Sequence, residues 1–168
     1  GFTGDAGYCY VCACEKDEKT FVVSLLGCGW PNNKGYKWKD SLKLLDYGED
    51  NFDYEKFWKE LKFPEVPVKD GVEKNITFGD TAVVSGIPSV SEKEKNKKIL
   101  MKKGEKISCR LEMPEKLQAP VKKGNRIGTL IYSLGEEELA SYPVLADRNV
   151  EKVSYGWCVD QVFHDFFH

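Results

Sequence analysis

Gly7 to Ala13 alternates in side-chain character, a charged turn follows (Glu15, Lys16, Asp17, Glu18, Lys19), and Thr20 to Leu26 is a second apolar, β-branched run. That pattern predicts a β-hairpin. After a Gly/Pro/Asn loop from Gly27 to Gly35, the period becomes helical. Asp40 stands where a helix cap belongs, Leu42, Leu44, Leu45 and Tyr47 supply an apolar side, and Gly48 is a natural C-terminal stop. Asp53 to Leu61 reads as a further short helix with Tyr54, Phe57, Trp58 and Leu61 on one side, a spacing that also fits a strand.

Pro64 and Pro67 mark a boundary. Beyond them, short alternating segments separated by turn formers predict an all-β sandwich. The expected strands are Ile76–Phe78, Thr81–Val84, Ile107–Met113, Arg126–Leu134 and Leu139–Leu145. Arg126–Leu134 is the clearest, because Ile127, Thr129 and Ile131 alternate with Gly128, Leu130 and Tyr132 between two glycine-bearing turns. Glu92 to Lys98 mixes both signs of charge and reads as a solvated loop. From Ser154 to His168 the period is helical again, with Tyr155, Val159, Val162, Phe163, Phe166 and Phe167 on one face and Asp160, Gln161, His164 and Asp165 opposite. Such a helix docks on the preceding module or lies on a membrane surface.

Composition narrows the chemistry. The net charge of -2 over 168 residues argues against nucleic acid as the partner. No apolar run approaches the roughly 20 residues of a bilayer-spanning helix, and no basic start precedes an apolar stretch as in a signal peptide. The only histidines, His164 and His168, fall in the last five residues, which speaks against histidine-based nucleophilic or zinc chemistry. Cys9-x-x-Cys12-x-Cys14 and Cys28 invite a metal reading, but on a strand Cys9 points away from Cys12 and Cys14. The predicted state is free, strand-filling thiols, with a Cys14–Cys28 bridge as the alternative.

Gly1-Phe2-Thr3-Gly4-Asp5-Ala6-Gly7-Tyr8-Cys9 resembles the segment after the third active-site motif of the D-alanyl-D-alanine carboxypeptidases, the low-molecular-mass penicillin-binding proteins. Those enzymes use Ser-x-x-Lys, Ser-x-Asn and Lys-Thr-Gly, followed by a strand carrying Ala-Gly-Tyr. Gly1 then stands at the Gly of Lys-Thr-Gly. Ser41-Leu42-Lys43-Leu44-Leu45-Asp46-Tyr47-Gly48 is similar to the closing helix of the family's transpeptidase-like domain. Leu117 to Gly124, Ile127-Gly128-Thr129 and Tyr142-Pro143-Val144 resemble its C-terminal β-sandwich. None of the nine serines begins Ser-x-x-Lys or Ser-x-Asn, and Lys19-Thr20 is followed by Phe21. The nucleophile, its base and the first two residues of the third motif are therefore expected upstream of Gly1, in a longer enzyme.

The resemblance implies an α+β piece of a catalytic domain over residues 1–63, a β-sandwich over 64–150 and an amphipathic helix over 151–168. It implies a parent serine hydrolase that attacks the D-Ala-D-Ala amide of a peptidoglycan stem peptide, passes through an acyl-enzyme, is acylated by β-lactams and works outside the cytoplasm close to the membrane. No cofactor or metal is implied, and this chain alone is expected to be inactive. By the same analogy, the Phe2 backbone N–H completes an oxyanion hole, Gly1 permits close backbone approach, and Lys37 attracts the substrate's carboxylate. Tyr155, Val159, Val162, Phe163, Phe166 and Phe167 become membrane-facing. The partners implied are the N-terminal catalytic part, the stem peptide and a membrane surface. Two rivals stand beside this reading. One is a carrier domain, since Val121 to Gly128 is similar to turns of biotinyl and lipoyl carriers, but no Met-Lys-Met or Asp-Lys-Ala follows. The other is a non-catalytic cell-wall or protein-interaction module.

Overall fold

The computed structural model describes residues 1–73 and 76–167. The first strands are β1 (Phe2–Thr3), β2 (Gly7–Tyr8), β3 (Tyr10–Lys16) and β4 (Lys19–Leu25). The predicted hairpin is β3 with β4, in register from Tyr10↔Leu25 to Lys16↔Lys19. Its two turn residues, Asp17 and Glu18, both have positive φ, the geometry that follows the right-handed twist of the strands.

The helix α1 runs Tyr36–Asn51, starting before the expected cap and ending after the expected stop. Asp40 lies inside it and accepts a hydrogen bond from Cys28 Sγ at 3.3 Å, so it ties the preceding loop instead of capping the helix. The packing face differs too. Leu42, Leu44 and Tyr47 are largely exposed, while Ser41 and Gly48 are buried. Small residues let the helix backbone approach closely: a Cβ at Gly48 would stand 2.9 Å from the Phe21 ring of β4. Ser41 can be buried because its hydroxyl donates to Lys37 O at 2.6 Å.

Residues 53–61 are not a helix. Phe52–Lys56 form β5, the strand alternative for this aromatic spacing. The chain continues through β6 (Val66–Lys69), β7 (Gly71–Val72), β8 (Val83–Val84) and β9 (Gly86–Pro88). The strand expected at Ile76–Phe78 is absent; a turn occupies this stretch, in which Asp80 Oδ2 accepts both the N–H and O–H of Thr77. The charge run expected as a loop is α2 (Glu92–Lys95), started by a Ser91/Glu94 capping box, and then the beginning of β10 (Lys98–Lys102). Strand β10 pairs antiparallel with β5 from Lys98↔Lys56 to Lys102↔Phe52.

The remaining elements are β11 (Ile107–Glu112), β12 (Leu117–Gln118), β13 (Arg126–Leu134), β14 (Glu137–Ala146), β15 (Glu151–Lys152) and α3 (Tyr155–Phe167). The chain divides into two compact units, Gly1–Phe57 with Lys97–Glu105 and Trp58–Asn96 with Lys106–His168. The second is mostly β, consistent with the sandwich expectation. Its four-stranded sheet has the order β11-β13-β14-β9, and β12-β6-β8 form a three-stranded sheet. Val68, Val84, Leu130, Tyr132, Val144 and Val150 are its most deeply buried side chains. Trp58, expected on a helix, sits with its ring 5.4 Å from Tyr132, whose buried hydroxyl donates to Lys59 O at 2.8 Å. At the bulge between Arg126 and Gly128 only glycine fits, since a Cβ would lie 2.6 Å from Glu112 O. Asp147 ties β9 to β14 by accepting the Ser85 N–H at 2.9 Å while donating its own N–H to Ser85 O.

In the first unit, the nearly buried Lys19 donates from Nζ to Glu49 O at 3.3 Å, Phe52 O at 3.2 Å and Asp53 Oδ1 at 3.0 Å. It satisfies terminal carbonyls of α1, where a cation also complements the helix dipole. Lys19→Met should therefore lower stability by about 1–3 kcal/mol in chemical denaturation, because partly buried carbonyls lose their donor. The Lys19 hydrogen bond holds the Asp53 carboxyl below its ordinary pKa. That stabilisation is complete above the unfolded carboxyl value of about 3.9 and is lost as pH falls through the lower folded value. Melting curves across acid pH should be flatter for Lys19→Met than for the parent. Gly48→Ala should also destabilise, since about 1–3 kcal/mol of overpacking against Phe21 outweighs the roughly 1 kcal/mol of helix propensity gained. A higher melting temperature would refute this packing account.

Candidate functional site

Strands β1 and β2 fold the first residues back on themselves. Gly1 and Cys9 exchange both backbone hydrogen bonds at 2.7 Å, and the register continues as Phe2↔Tyr8 and Thr3↔Gly7. In an antiparallel ladder hydrogen-bonded and non-hydrogen-bonded pairs alternate, so Phe2↔Tyr8 is a non-hydrogen-bonded pair. The Phe2 N–H consequently points away from β2. On its far side, β2 is occupied: Tyr8 N donates to Gly29 O at 3.0 Å and Cys28 N donates to Tyr8 O at 2.8 Å. The outer edge of β1 is thus where a further backbone donor is presented.

Local contacts hold this edge in place. Thr3 Oγ1 accepts the Ala6 N–H at 3.1 Å, and Trp30 Nε1 donates to Gly4 O at 3.1 Å. Gly7 has φ +67, and a Cβ there would lie 2.9 Å from Gly29 O, so the pairing of β2 with the Cys28–Gly29 segment requires glycine.

The Phe2 and Tyr8 rings meet at 4.6 Å on the same face of the hairpin. Above Tyr8 sits Lys37, from the first turn of α1. Its Nζ is 5.3 Å from the Tyr8 ring centroid, 5.7 Å from Tyr10 and 5.0 Å from Trp38. Tyr10 and Trp38 pack edge to face at 4.8 Å. Tyr8 therefore connects the two residues singled out on the sequence, Phe2 and Lys37. The three-ring seat was not anticipated. Its one visible signal is Tyr8-x-Tyr10, which places both rings on one side of an extended segment. A cation over aromatic faces is steadied by about 0.5–1 kcal/mol at exposed sites and keeps its charge available to an anion.

The six thiols are free. Cys12 and Cys14 sit in β3 opposite Val23 and Phe21, and Cys28 bonds to Asp40, so the alternative Cys14–Cys28 bridge is not formed. Burial, and then the Asp40 carboxylate, raise the Cys28 pKa, which keeps it a thiol near neutrality. Among the described residues no three His, Cys, Asp or Glu side chains converge on a metal position.

Helix α3 exposes Tyr155, Val162, Phe163 and Phe166, with Val159 half-buried. The Phe167 side chain lies outside what is described. Trp157 turns toward the β-module, its ring 5.4 Å from Phe78. No helix among the described residues is long and apolar enough to cross a membrane.

Three comparisons bear on this geometry. The family described as Penicillin-binding protein 5, C-terminal domain, matches residues 64–152. D-alanyl-D-alanine carboxypeptidase DacF of Bacillus subtilis is 26% identical over 159 residues, covering 92% of this chain and 37% of that protein. The crystal structure of the D-alanyl-D-alanine carboxypeptidase DacD from Francisella tularensis superposes over 91% of this chain and 35% of its own, at 25% identity and a TM-score of 0.50. Penicillin binding protein 5 from Haemophilus influenzae is 26% identical over 90% of this chain and 41% of its own, with a TM-score of 0.41. The chain thus spans little more than a third of the carboxypeptidases DacF and DacD.

The ring seat makes a spectroscopic prediction. The Lys37 side-chain protons should be shifted upfield in the NMR spectrum by the ring currents of Tyr8, Tyr10 and Trp38. Replacing Tyr8 and Trp38 with leucine should return them to ordinary lysine positions; unshifted protons in the parent would contradict the seat.

Proposed function

Through residues 64–152 the chain belongs to the penicillin-binding protein 5 C-terminal domain family, and from that premise we propose that it is the C-terminal portion of a serine-type D-Ala-D-Ala carboxypeptidase. The observation that carries this reading is the likeness to DacF, which runs over 92% of the chain. In the proposal, residues 1–63, with β10 paired to β5, are the closing piece of the catalytic domain, the rest of 64–150 is the β-sandwich stalk and 151–168 a membrane-surface helix. The parent works outside the cytoplasm on peptidoglycan stem peptides and is acylated by β-lactams.

The chemistry assigned to this chain is positioning and charge stabilisation. A serine of the N-terminal part attacks the D-Ala-D-Ala amide, and negative charge collects on the carbonyl oxygen. The outward Phe2 N–H is the donor proposed to meet it, paired with the N–H of that serine; one such donor contributes about 2.7–4 kcal/mol to the transition state. Gly1 leaves room for the backbone approach. Lys37, seated over three rings, supplies the positive charge for the stem peptide's terminal carboxylate. The exposed Val11 and Val22 on the open face of the hairpin, and Leu42 and Leu44 on α1, are the surfaces that the N-terminal part covers. The apolar stripe of α3 is the membrane-facing surface.

Joining this chain to a preceding segment that bears Ser-x-x-Lys, Ser-x-Asn and Lys-Thr should yield a protein that is acylated by penicillin and releases D-Ala. If the joined protein does neither, the reading fails. In that protein Phe2→Pro, which removes the N–H of this edge residue together with its ring, should reduce kcat by about 10²–10³-fold, whereas Phe2→Ala, which loses the ring and keeps the N–H, should retain most of the activity. Sedimentation of this chain with phosphatidylglycerol vesicles should be lost on removing residues 154–168. Equal sedimentation of the shortened chain would refute the membrane assignment.

A further inference from the structure

One side chain of the loop between β4 and α1 reaches back to the edge that presents Phe2. Residues 1–6 are all exposed, so the turn over 4–6 that joins β1 to β2 is held by hydrogen bonds and little by burial. Thr3 Oγ1 supplies one bond from within, by accepting the Ala6 N–H. Trp30 Nε1, 26 residues away in sequence, supplies another by donating to Gly4 O at 3.1 Å. The two differ in kind. The Thr3 bond moves with the turn, whereas the Trp30 bond comes from a backbone that is fixed independently of it.

Before Trp30, the Gly29 carbonyl accepts the Tyr8 N–H and the Cys28 N–H is given to Tyr8 O. Gly29 has φ +88, and a Cβ there would stand 2.8 Å from Asn33 O, so this bend admits only glycine. After Trp30, Pro31 opens a short 3-10 turn in which Asn33 N donates to Trp30 O at 2.7 Å. With both flanks fixed, the indole has little freedom left to lose when it bonds. Its ring also reaches the far end of the β1–β2 turn, since Cη2 would lie 3.5 Å from a Cβ at Gly7. One side chain therefore touches the residue that leaves β1 and the residue that enters β2. Yet Trp30 is 50% exposed. Half of its surface is left to solvent while its single polar atom is engaged, which is the reverse of a tryptophan used to fill a core.

We propose that Trp30 is a positioning residue for the reaction: by holding the Gly4 carbonyl it fixes the direction of the Phe2 N–H, two residues earlier in the chain. The inference rests on the assignment of that N–H to the oxyanion. Among the described residues β1 pairs with β2 alone, so the aim of its outward N–H is set by β2 and by the turn. An oxyanion donor is effective when it is already aimed at the developing charge, and a misplacement of about 1 Å costs about 10²-fold. Trp30 acts through Phe2 on a charge that exists only in the transition state, so its effect falls on kcat and spares KM.

The test uses the joined protein and a peptide ending in D-Ala-D-Ala. Trp30→Phe, and separately 3-benzothienylalanine at position 30, which keeps the fused ring with sulfur in place of the N–H, should each lower kcat about tenfold and leave KM within about twofold. An unchanged kcat in either variant overturns the proposal. The loss caused by Trp30→Phe should persist in a Phe2→Ala background, which keeps the backbone N–H, and vanish in Phe2→Pro, which lacks it. Equal losses in both backgrounds mean that Trp30 acts elsewhere and overturn the proposal. If Phe2→Pro alone leaves kcat unchanged, the oxyanion assignment itself fails. An effective Phe2→Pro beside a silent Trp30→Phe sinks only the role of Trp30. In the present chain by itself, Trp30→Phe should speed amide hydrogen exchange at Ala6 about tenfold and leave it unchanged at Tyr8, whose N–H is bonded to Gly29 O. Unchanged exchange at Ala6, or an equal rise at both amides, overturns the proposal.

Discussion

A single ammonium group organises the first unit. Lys19 stands at the start of β4, yet its Nζ reaches the end of α1 and the beginning of β5, meeting Glu49 O, Phe52 O and Asp53. Burying a lysine is unfavourable unless every proton finds an acceptor, and here three acceptors come from two successive elements. The hairpin, the helix terminus and the following strand are therefore specified together. The contact also sets where α1 stops, because the chain must leave the helix in time to present Phe52 O and Asp53 to the same cation. Gly48 and Ser41 follow from this, since a helix held so close to β4 has room only for small side chains.

That constraint explains which parts of the fold could be read in advance. Alternation is local, so β13 was legible residue for residue, and the β3–β4 hairpin nearly so. The face of α1 was not. Leu42, Leu44 and Tyr47 advertise an apolar side, but Phe21 selects the glycine side, and nothing in the helix's own periodicity reveals that choice. The short helix expected over 53–61 failed for a similar reason. Phe52 to Lys56 are extended because β10, more than forty positions later, supplies the matching edge. Mixed charge at Glu92–Lys98 masked both a capped helical turn and a strand start, because charge reports exposure more directly than backbone shape.

At the site, resemblance and geometry contributed different things. The likeness at Gly1 to Cys9 singled out a backbone N–H, and the ladder register supplies its direction. Lys37 was singled out by position alone; its aromatic seat depends on β2, β3 and α1 meeting, a tertiary fact no local window contains. The terminal helix was legible as amphipathic, although Trp157 breaks the division by packing on the β-module beside the exposed stripe.

The pairing of β5 with β10 bears on where the chain can be divided. Residues 98–102 lie inside the stretch matched by the C-terminal family, yet they are a strand of the first unit. Cutting the chain at residue 64 would therefore take away the partner strand of β5 and leave its edge unpaired. The folding boundary of the first unit therefore does not coincide with a single point along the chain: its last strand is supplied from beyond residue 64.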